Sequence, residues 1–285
     1  MTKSDYESRH WAAKMKLWKE YKTLSTKKLI SIVKEGTTLH RQVAAMEMQC
    51  RGGDDVIKYA MNLCSNKNYK LREIGAFVLG QVAIPDRQML LEVVNLLMSL
   101  AKREKSIRVR YTAIYSVGHR CAKGFTNYEI VMSALQRATD SSIASVREAA
   151  AFSLAYTVSP KAPPLLEKLL LDPDRDVRNW AGFAVNNSKA DSSGIRESLV
   201  KMLSDPFDEA RMEAISALAS RQDKRVIPTL KHEIEKDPLV LTVVEAIADF
   251  GDPKFIPILE KLLSKFDDEE RIIQHSIEQL KKNIP

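Results

Sequence analysis

SVREAAAFSLA, residues 145–155, and DVRNWAGFAVN, residues 176–186, are two copies of one pattern. In each, an arginine is followed by small residues three and four positions on and an apolar residue seven on. These are Ala150, Ala151 and Leu154 after Arg147, and Ala181, Gly182 and Val185 after Arg178. Apolar residues at that spacing mark one buried stripe of an α-helix, and small residues within the stripe let a neighbouring helix approach closely. The arginine returns six times, as Arg41, Arg72, Arg110, Arg147, Arg178 and Arg211, at separations of 31, 38, 37, 31 and 33 residues. That is the period of a two-helix unit that buries its core by stacking on copies of itself. Val240 and Ile273 stand at the arginine position of two fainter copies.

The partner helix of each unit precedes the arginine helix. Segments 26–35, 54–64, 86–101, 126–138, 163–171, 192–203, 225–235 and 253–265 all carry apolar residues at helical spacing. Pro163, Pro228 and Pro257 fall in first turns, where a missing N–H costs little, and Asp54, Asp86 and Asp252 are placed to cap. No stretch alternates with period two between turn residues, so no sheet is expected. The arginine pattern is the second-helix signature of HEAT and HEAT-like repeats. The predicted fold is all-α, a right-handed α-solenoid of about eight HEAT-like two-helix repeats. A capping helix occupies residues 1–24, and residues 25–285 form one continuous array. The recurring arginine, near Asp172, Asp174 or Asp205, reads as a tether for the inter-helix loops.

Charge narrows the class of partner. The chain has 44 basic and 37 acidic residues, of which nine and three lie in residues 1–34, leaving 35 and 34 for the rest. A groove that tracks phosphates needs a basic excess along its length, so no nucleic-acid partner is expected. The basic N-terminal stretch carries Trp11, Met15, Leu17, Trp18, Tyr21 and Leu24 among its lysines. It reads as an amphipathic cap for the first repeat, or as a helix that docks on a membrane surface or an acidic partner. At the other end Asp267, Asp268, Glu269 and Glu270 read as a solvated helix start. The first thirty residues lack the apolar core of a signal peptide, and no run is long enough to span a bilayer. Cys50, Cys64 and Cys121 show no paired ligand spacing, which suits a reducing cytoplasm.

If positions one before and three, four and seven after the arginine face the core, positions one, five and nine after face away from it. That stripe reads Glu73, Phe77, Gln81, then Tyr111, Tyr115, His119, then Glu148, Phe152, Tyr156, then Asn179, Phe183, Asn187, with Trp180 beside it. Position five is aromatic four times running. Second helices line the concave side of a solenoid, so this stripe is the candidate partner-binding surface, an aromatic ladder with polar flanks. The same periodicity suits rings that cover the gaps between repeats, and both readings stand at this point.

Catalysis finds no support in the motifs. The five histidines, His10, His40, His119, His232 and His275, are dispersed, and there is no phosphate loop or nucleophile elbow. No metal site, cofactor or small-molecule ligand is expected. The segments RGGDDVIKYAMNLCSNKNYKLREIGAFVLGQV (51–82), DVRNWAGFAVN (176–186), DKRVIPTL (223–230) and KFDDEE (265–270) resemble the bacterial YibA family of HEAT-repeat proteins. The resemblance includes non-core residues such as Arg51, Gly52, Gly53, Asn68, Tyr69, Gln81, Asn179 and Asn186. It implies a cytoplasmic immunity protein that neutralises the toxin domain of an Rhs-type polymorphic effector, with that domain as its protein partner. The alternatives are a HEAT-like nucleic-acid-binding protein of the DNA-glycosylase kind, a general interaction scaffold, and, with no supporting feature, a relative of phycobilin lyases.

Overall fold

A computed structural model of the protein describes residues 3–263 and 270–283. These residues form helices and turns with no strand among them. The chain divides into two compact units, Met1–Ser159 and Pro160–Pro285. The first unit holds α1 (Lys3–Tyr21), α2 (Thr26–Glu35), α3 (Thr38–Arg51), α4 (Asp54–Leu63), α5 (Tyr69–Gln81), α6 (Arg87–Arg103), α7 (Ile107–Ala122), α8 (Tyr128–Thr139) and α9 (Ala144–Leu154). In the second lie α10 (Ala162–Leu170), α11 (Arg175–Ser188), α12 (Ser193–Met202), α13 (Asp208–Ser220), α14 (Ile227–Glu233), α15 (Leu241–Phe250), α16 (Ile256–Leu263) and α17 (Glu270–Lys281). Every odd-numbered helix from α3 to α17 carries the arginine position, except that in α15 it falls on the N-cap residue, Val240. The acidic run at 267–269 and the expected end of the last first helix lie outside the described residues.

Within each unit the second helices stack in succession, α3 on α5, α5 on α7 and α7 on α9, then α11 on α13, α13 on α15 and α15 on α17. The stripe read from the sequence is the core. Ala150, Ala151, Leu154, Ala181, Val185, Ala214 and Leu218 are all fully buried. Gly75 leaves no room for a side chain, because a Cβ there would stand 2.6 Å from the Ala60 carbonyl and 2.9 Å from Cys64 Sγ. Asp86 and Asp252 cap as expected, to the N–H groups of Met89 (2.6 Å) and Lys254 (3.0 Å). Asp54 does not. Gly53, at φ +93°, takes the cap position of α4 and leaves Asp54 in the first turn, where its charge still suits the helix dipole.

The recurring arginine is a joint between repeats. Six residues before it stands a loop residue whose side chain accepts the N–H two residues on: Asn66 from Asn68, Glu104 from Ser106, Ser141 from Ile143, Asp172 from Asp174 and Asp205 from Phe207. The carbonyl of that residue accepts from the arginine of its own repeat at Arg72, Arg147, Arg178 and Arg211. Within each unit one arginine grips the carboxylate at that loop position of the following repeat through two nitrogens. Arg72 holds Glu104 at 2.6 and 2.9 Å, and Arg178 holds Asp205 at 2.5 and 2.8 Å. Where the following loop offers Asn66 or Ser141 instead, the preceding arginines, Arg41 and Arg110, keep a buried Nε with no hydrogen-bond partner.

Two further devices lock the second helices together. Ser116 Oγ donates to the Ala76 carbonyl at 2.9 Å and Ser153 Oγ to the Ile114 carbonyl at 2.7 Å. Facing them, Gly80 and Gly118 have no space for a Cβ. Ten residues after the repeat arginine, Arg120 donates to the carbonyls of Leu79 (2.6 Å) and Val82 (2.8 Å), and Arg221 to those of Val185 (3.0 Å) and Ala190 (2.6 Å). Each buried guanidinium thus caps the C-terminus of the preceding second helix, whose last carbonyls have no partner within the helix.

At the N-terminus α1 packs on α3. Tyr21 is buried there and pairs with His40, Trp18 is half-buried beneath the Lys22 ammonium, and Trp11 is 58% exposed.

Candidate partner-binding surface

Successive turns of α7 and α9, with the turn that follows α9, bring five of the expected surface residues into one cluster. The ring of Tyr115 stacks on Phe152 with centroids 3.9 Å apart, and on Tyr111 at 5.7 Å. His119 meets Tyr115 and Phe152 edge-on at 5.0 and 5.1 Å, and Tyr156 meets Phe152 at 5.4 Å. Offset and edge-on rings are the favoured geometries of aromatic packing. Phe152, at the centre, is 5% exposed, so it is a core residue. The rings around it are half-buried and show their edges. Stacked second helices bring position five of one repeat against positions five and nine of its neighbour, which is why the middle ring is covered.

Polar groups hold this cluster in place. Gln81 donates from its amide nitrogen to Nε2 of His119 at 3.0 Å, which leaves the imidazole proton on Nδ1. Burial, with the charges of Lys123 and Arg120 behind it, lowers the His119 pKa, so the ring is neutral at physiological pH. Burial also pushes the Tyr111 phenol up to about 12, and Glu148, hydrogen-bonded to it, adds to the shift. Glu73 stands apart in a bidentate contact with Arg108, whose Nε and Nη2 lie 3.2 and 2.9 Å from one carboxylate oxygen. Phe77 has no ring neighbour among the described residues and lines a separate groove.

The remaining expected residues belong to the second unit. Trp180 and Phe183 meet edge-on at 5.4 Å, Asn179 lines a groove, and Asn187 is exposed. Asn186, which the stripe did not include, donates to the carbonyl of Glu213 at 3.1 Å and to its carboxylate at 2.7 Å. Burial raises the Glu213 pKa even though Asn186 pulls the other way.

Each unit also carries a groove, and the two differ in charge. In the first unit a groove of about 340 Å³ has Lys14, Arg41, Lys70 and Arg108 around it, with Glu73 as its one carboxylate. Its floor is apolar, made by Ala45, Met46, Ile74 and Phe77. In the second unit a groove of about 570 Å³ presents Asp208, Glu209, Glu213, Glu233 and Asp237 against Arg211 and Lys236. The near-neutral average of the array therefore conceals one cationic and one acidic site.

Nucleophilic and metal chemistry has little to work with among the described residues. Burial pushes the thiols of Cys64 and Cys121 up to about 12 and about 11, far from the thiolate form, and Cys50 is exposed. No group of three or more His, Cys, Asp or Glu is placed to hold a metal ion, and no helix is long and apolar enough to cross a membrane.

Comparison with known proteins agrees with this architecture. Residues 94–186 and 195–281 match the HEAT repeats family. The chain is 39% identical to protein YibA of Escherichia coli K12 over 279 residues, 98% of this chain and 99% of that one. The crystal structure of E. coli YibA superposes with a TM-score of 0.80 at 38% identity, covering 94% of this chain and 96% of that one. The CpcE–CpcF complex of phycocyanin lyase from Nostoc sp. PCC7120 shares the fold, with a TM-score of 0.52 at 18% identity, over 90% of this chain and 95% of that one.

Proposed function

Because this chain belongs to the family of HEAT-repeat proteins that includes YibA, we propose that it is an immunity protein. It binds the toxin domain of an Rhs-type polymorphic effector and holds it against the second-helix surface, with the toxin's active site covered or distorted. The observation that carries this reading is the pair of oppositely charged grooves, each edged by side chains of the second helices. Within each unit, charge arranged at a groove sets the orientation of a protein ligand and rejects wrong ones. The half-buried rings of Tyr111, Tyr115 and Trp180 supply the amphipathic contact area that protein interfaces favour. The binder works stoichiometrically and has no reaction of its own.

Protection demands tight association, since few free toxin molecules suffice to kill. Nanomolar affinity corresponds to about 12 kcal/mol, which calls for an interface of roughly 1,600 Å² or more. The decisive experiment is co-expression with the protein encoded immediately upstream of this gene, scoring growth and then co-purification. Rescue with a stable complex supports immunity, and growth arrest without a complex overturns it. The cationic groove favours one rival reading, nucleic-acid binding, for which duplex DNA should bind with a steep loss between 50 and 150 mM salt.

A further inference from the structure

The cationic groove of the first unit is left with unused charge. Arg108 is occupied by Glu73, but Lys14, Arg41 and Lys70 have no carboxylate within ion-pair distance among the described residues. Arg41 donates only to the Lys34 carbonyl, at 2.8 Å, and keeps a buried Nε unpartnered. Beneath these cations the floor is apolar, through Met46 and Phe77. Resting on the immunity reading, we infer that this groove seats an acidic segment of the protein partner, with an Asp or Glu carboxylate against Lys70, Lys14 and Arg41 and an adjacent aliphatic or aromatic side chain on Met46 and Phe77.

Two observations favour a protein carboxylate over a nucleic-acid backbone. First, the positive charge stops after one groove. The neighbouring groove along α7, of about 380 Å³, sets Glu73 and Glu148 against Arg108, so successive phosphates would meet carboxylates. Second, the floor is apolar where a backbone-tracking site would be polar, through Ala45, Met46, Ile74 and Phe77. A cation cluster over an apolar floor matches a short segment with an acidic and an apolar side chain side by side.

The test is titration of the purified upstream-encoded protein, in an inactive form, into parent and three variants by calorimetry. Lys70 is exposed and its side chain makes no ion pair or hydrogen bond among the described residues, so Lys70→Glu and Lys70→Ala keep the fold, which a thermal melt checks. Lys231→Glu makes the same charge change at an exposed site outside both grooves. The expected result is binding weakened at least tenfold by Lys70→Glu and about threefold by Lys70→Ala, with Lys231→Glu at parental affinity. Parental affinity in Lys70→Glu, or equal weakening in Lys231→Glu, overturns the inference and leaves the immunity reading standing. Failure of the parent itself to bind the upstream protein overturns both.

Discussion

Arg178 reaches forward 27 residues to grip the carboxylate of Asp205 through Nε and Nη2, while its Nη1 holds the carbonyl of Asp172 six residues behind. One guanidinium thereby ties the loop of its own repeat to the loop of the next. The Asp205 side chain is 4% exposed, so removing the arginine leaves a buried charge unpaired. Arg178→Ala is expected to cost about 3–5 kcal/mol, read as a lowered denaturation midpoint with an unchanged slope in urea. Asp205→Ala should cost less when combined with Arg178→Ala than the two single losses sum to.

Acid should release the same joints. Hydrogen bonding to Arg72 is the largest influence holding Glu104 below its ordinary pKa. At Asp205 burial pushes upward, but the hydrogen bonds from Arg178 and the Phe207 N–H outweigh it, and the net shift is down. Depressed carboxylates contribute stability that is complete above the unfolded pKa values of about 4, and lost as pH falls through the folded ones. Thermal melts from pH 7 to pH 2 should therefore show a steep fall below about pH 4. That fall is shallower in Glu104→Gln and Asp205→Asn, and an identical pH profile in parent and variants would refute the assignment.

Where the ladder lacks its carboxylate, supplying one should help. Arg110 keeps a buried, unpartnered Nε, and the loop residue of the following repeat is Ser141. Ser141→Asp preserves the turn bond to the Ile143 N–H, as Asp172 and Asp205 do in their own loops, and adds a charged acceptor for Arg110. A gain of about 1 kcal/mol is expected, visible as a higher Tm, and it should vanish in an Arg110→Ala background.

Arg120 is 3% exposed, and burial lowers its pKa to about 10. Two helix-terminal carbonyls accept hydrogen bonds from its Nε and Nη2. Arg120→Ala strands both and should destabilise by about 3 kcal/mol. Arg120→Lys should recover less than half of that, since an ammonium cannot span the two carbonyls as the planar fork does. Equal stability of the alanine and lysine variants would show that packing, rather than the fork, is what counts.

Phe152 and Tyr111 separate packing from recognition. Phe152→Ala empties a buried site and should cost about 3–5 kcal/mol, so weakened protection by that variant would report unfolding. Tyr111 is half-buried, and Tyr111→Ala should leave the Tm within a few degrees. If the ring edges form the interface, Tyr111→Ala lowers affinity for the partner; unchanged affinity makes the whole cluster a packing device.

Much of the fold was legible because the arginine recurs in register. Its spacing located all eight second helices, and the helical apolar pattern placed the first helices to within about two residues at most ends. The 225–235 segment departed furthest, opening as a 3₁₀ turn over Lys224–Val226 before a seven-residue α-helix. Ser116, Ser153, Arg120 and Arg221 escaped notice because each device occurs in only two repeats. Comparing positions six and ten after the arginine would have found them. The surface was less legible. Periodicity set Phe77, Phe152 and Phe183 at equivalent positions, yet one lines a groove, one is covered by its neighbours and one leans on Trp180. A ring's exposure depends on the next repeat, which spacing does not encode. The charge split escaped for a similar reason: each groove gathers side chains from several helices, and a sum along the chain cancels them.

The unequal filling of the arginine ladder gives the protein a mechanical grain. Within the first unit a stack of repeats yields where adjacent rungs are fastened least, so the contact of α3 with α5, which lacks the guanidinium–carboxylate clasp, parts at lower force than that of α5 with α7, which has it. Extension then comes in unequal steps whose order follows from which loops happen to carry an acid.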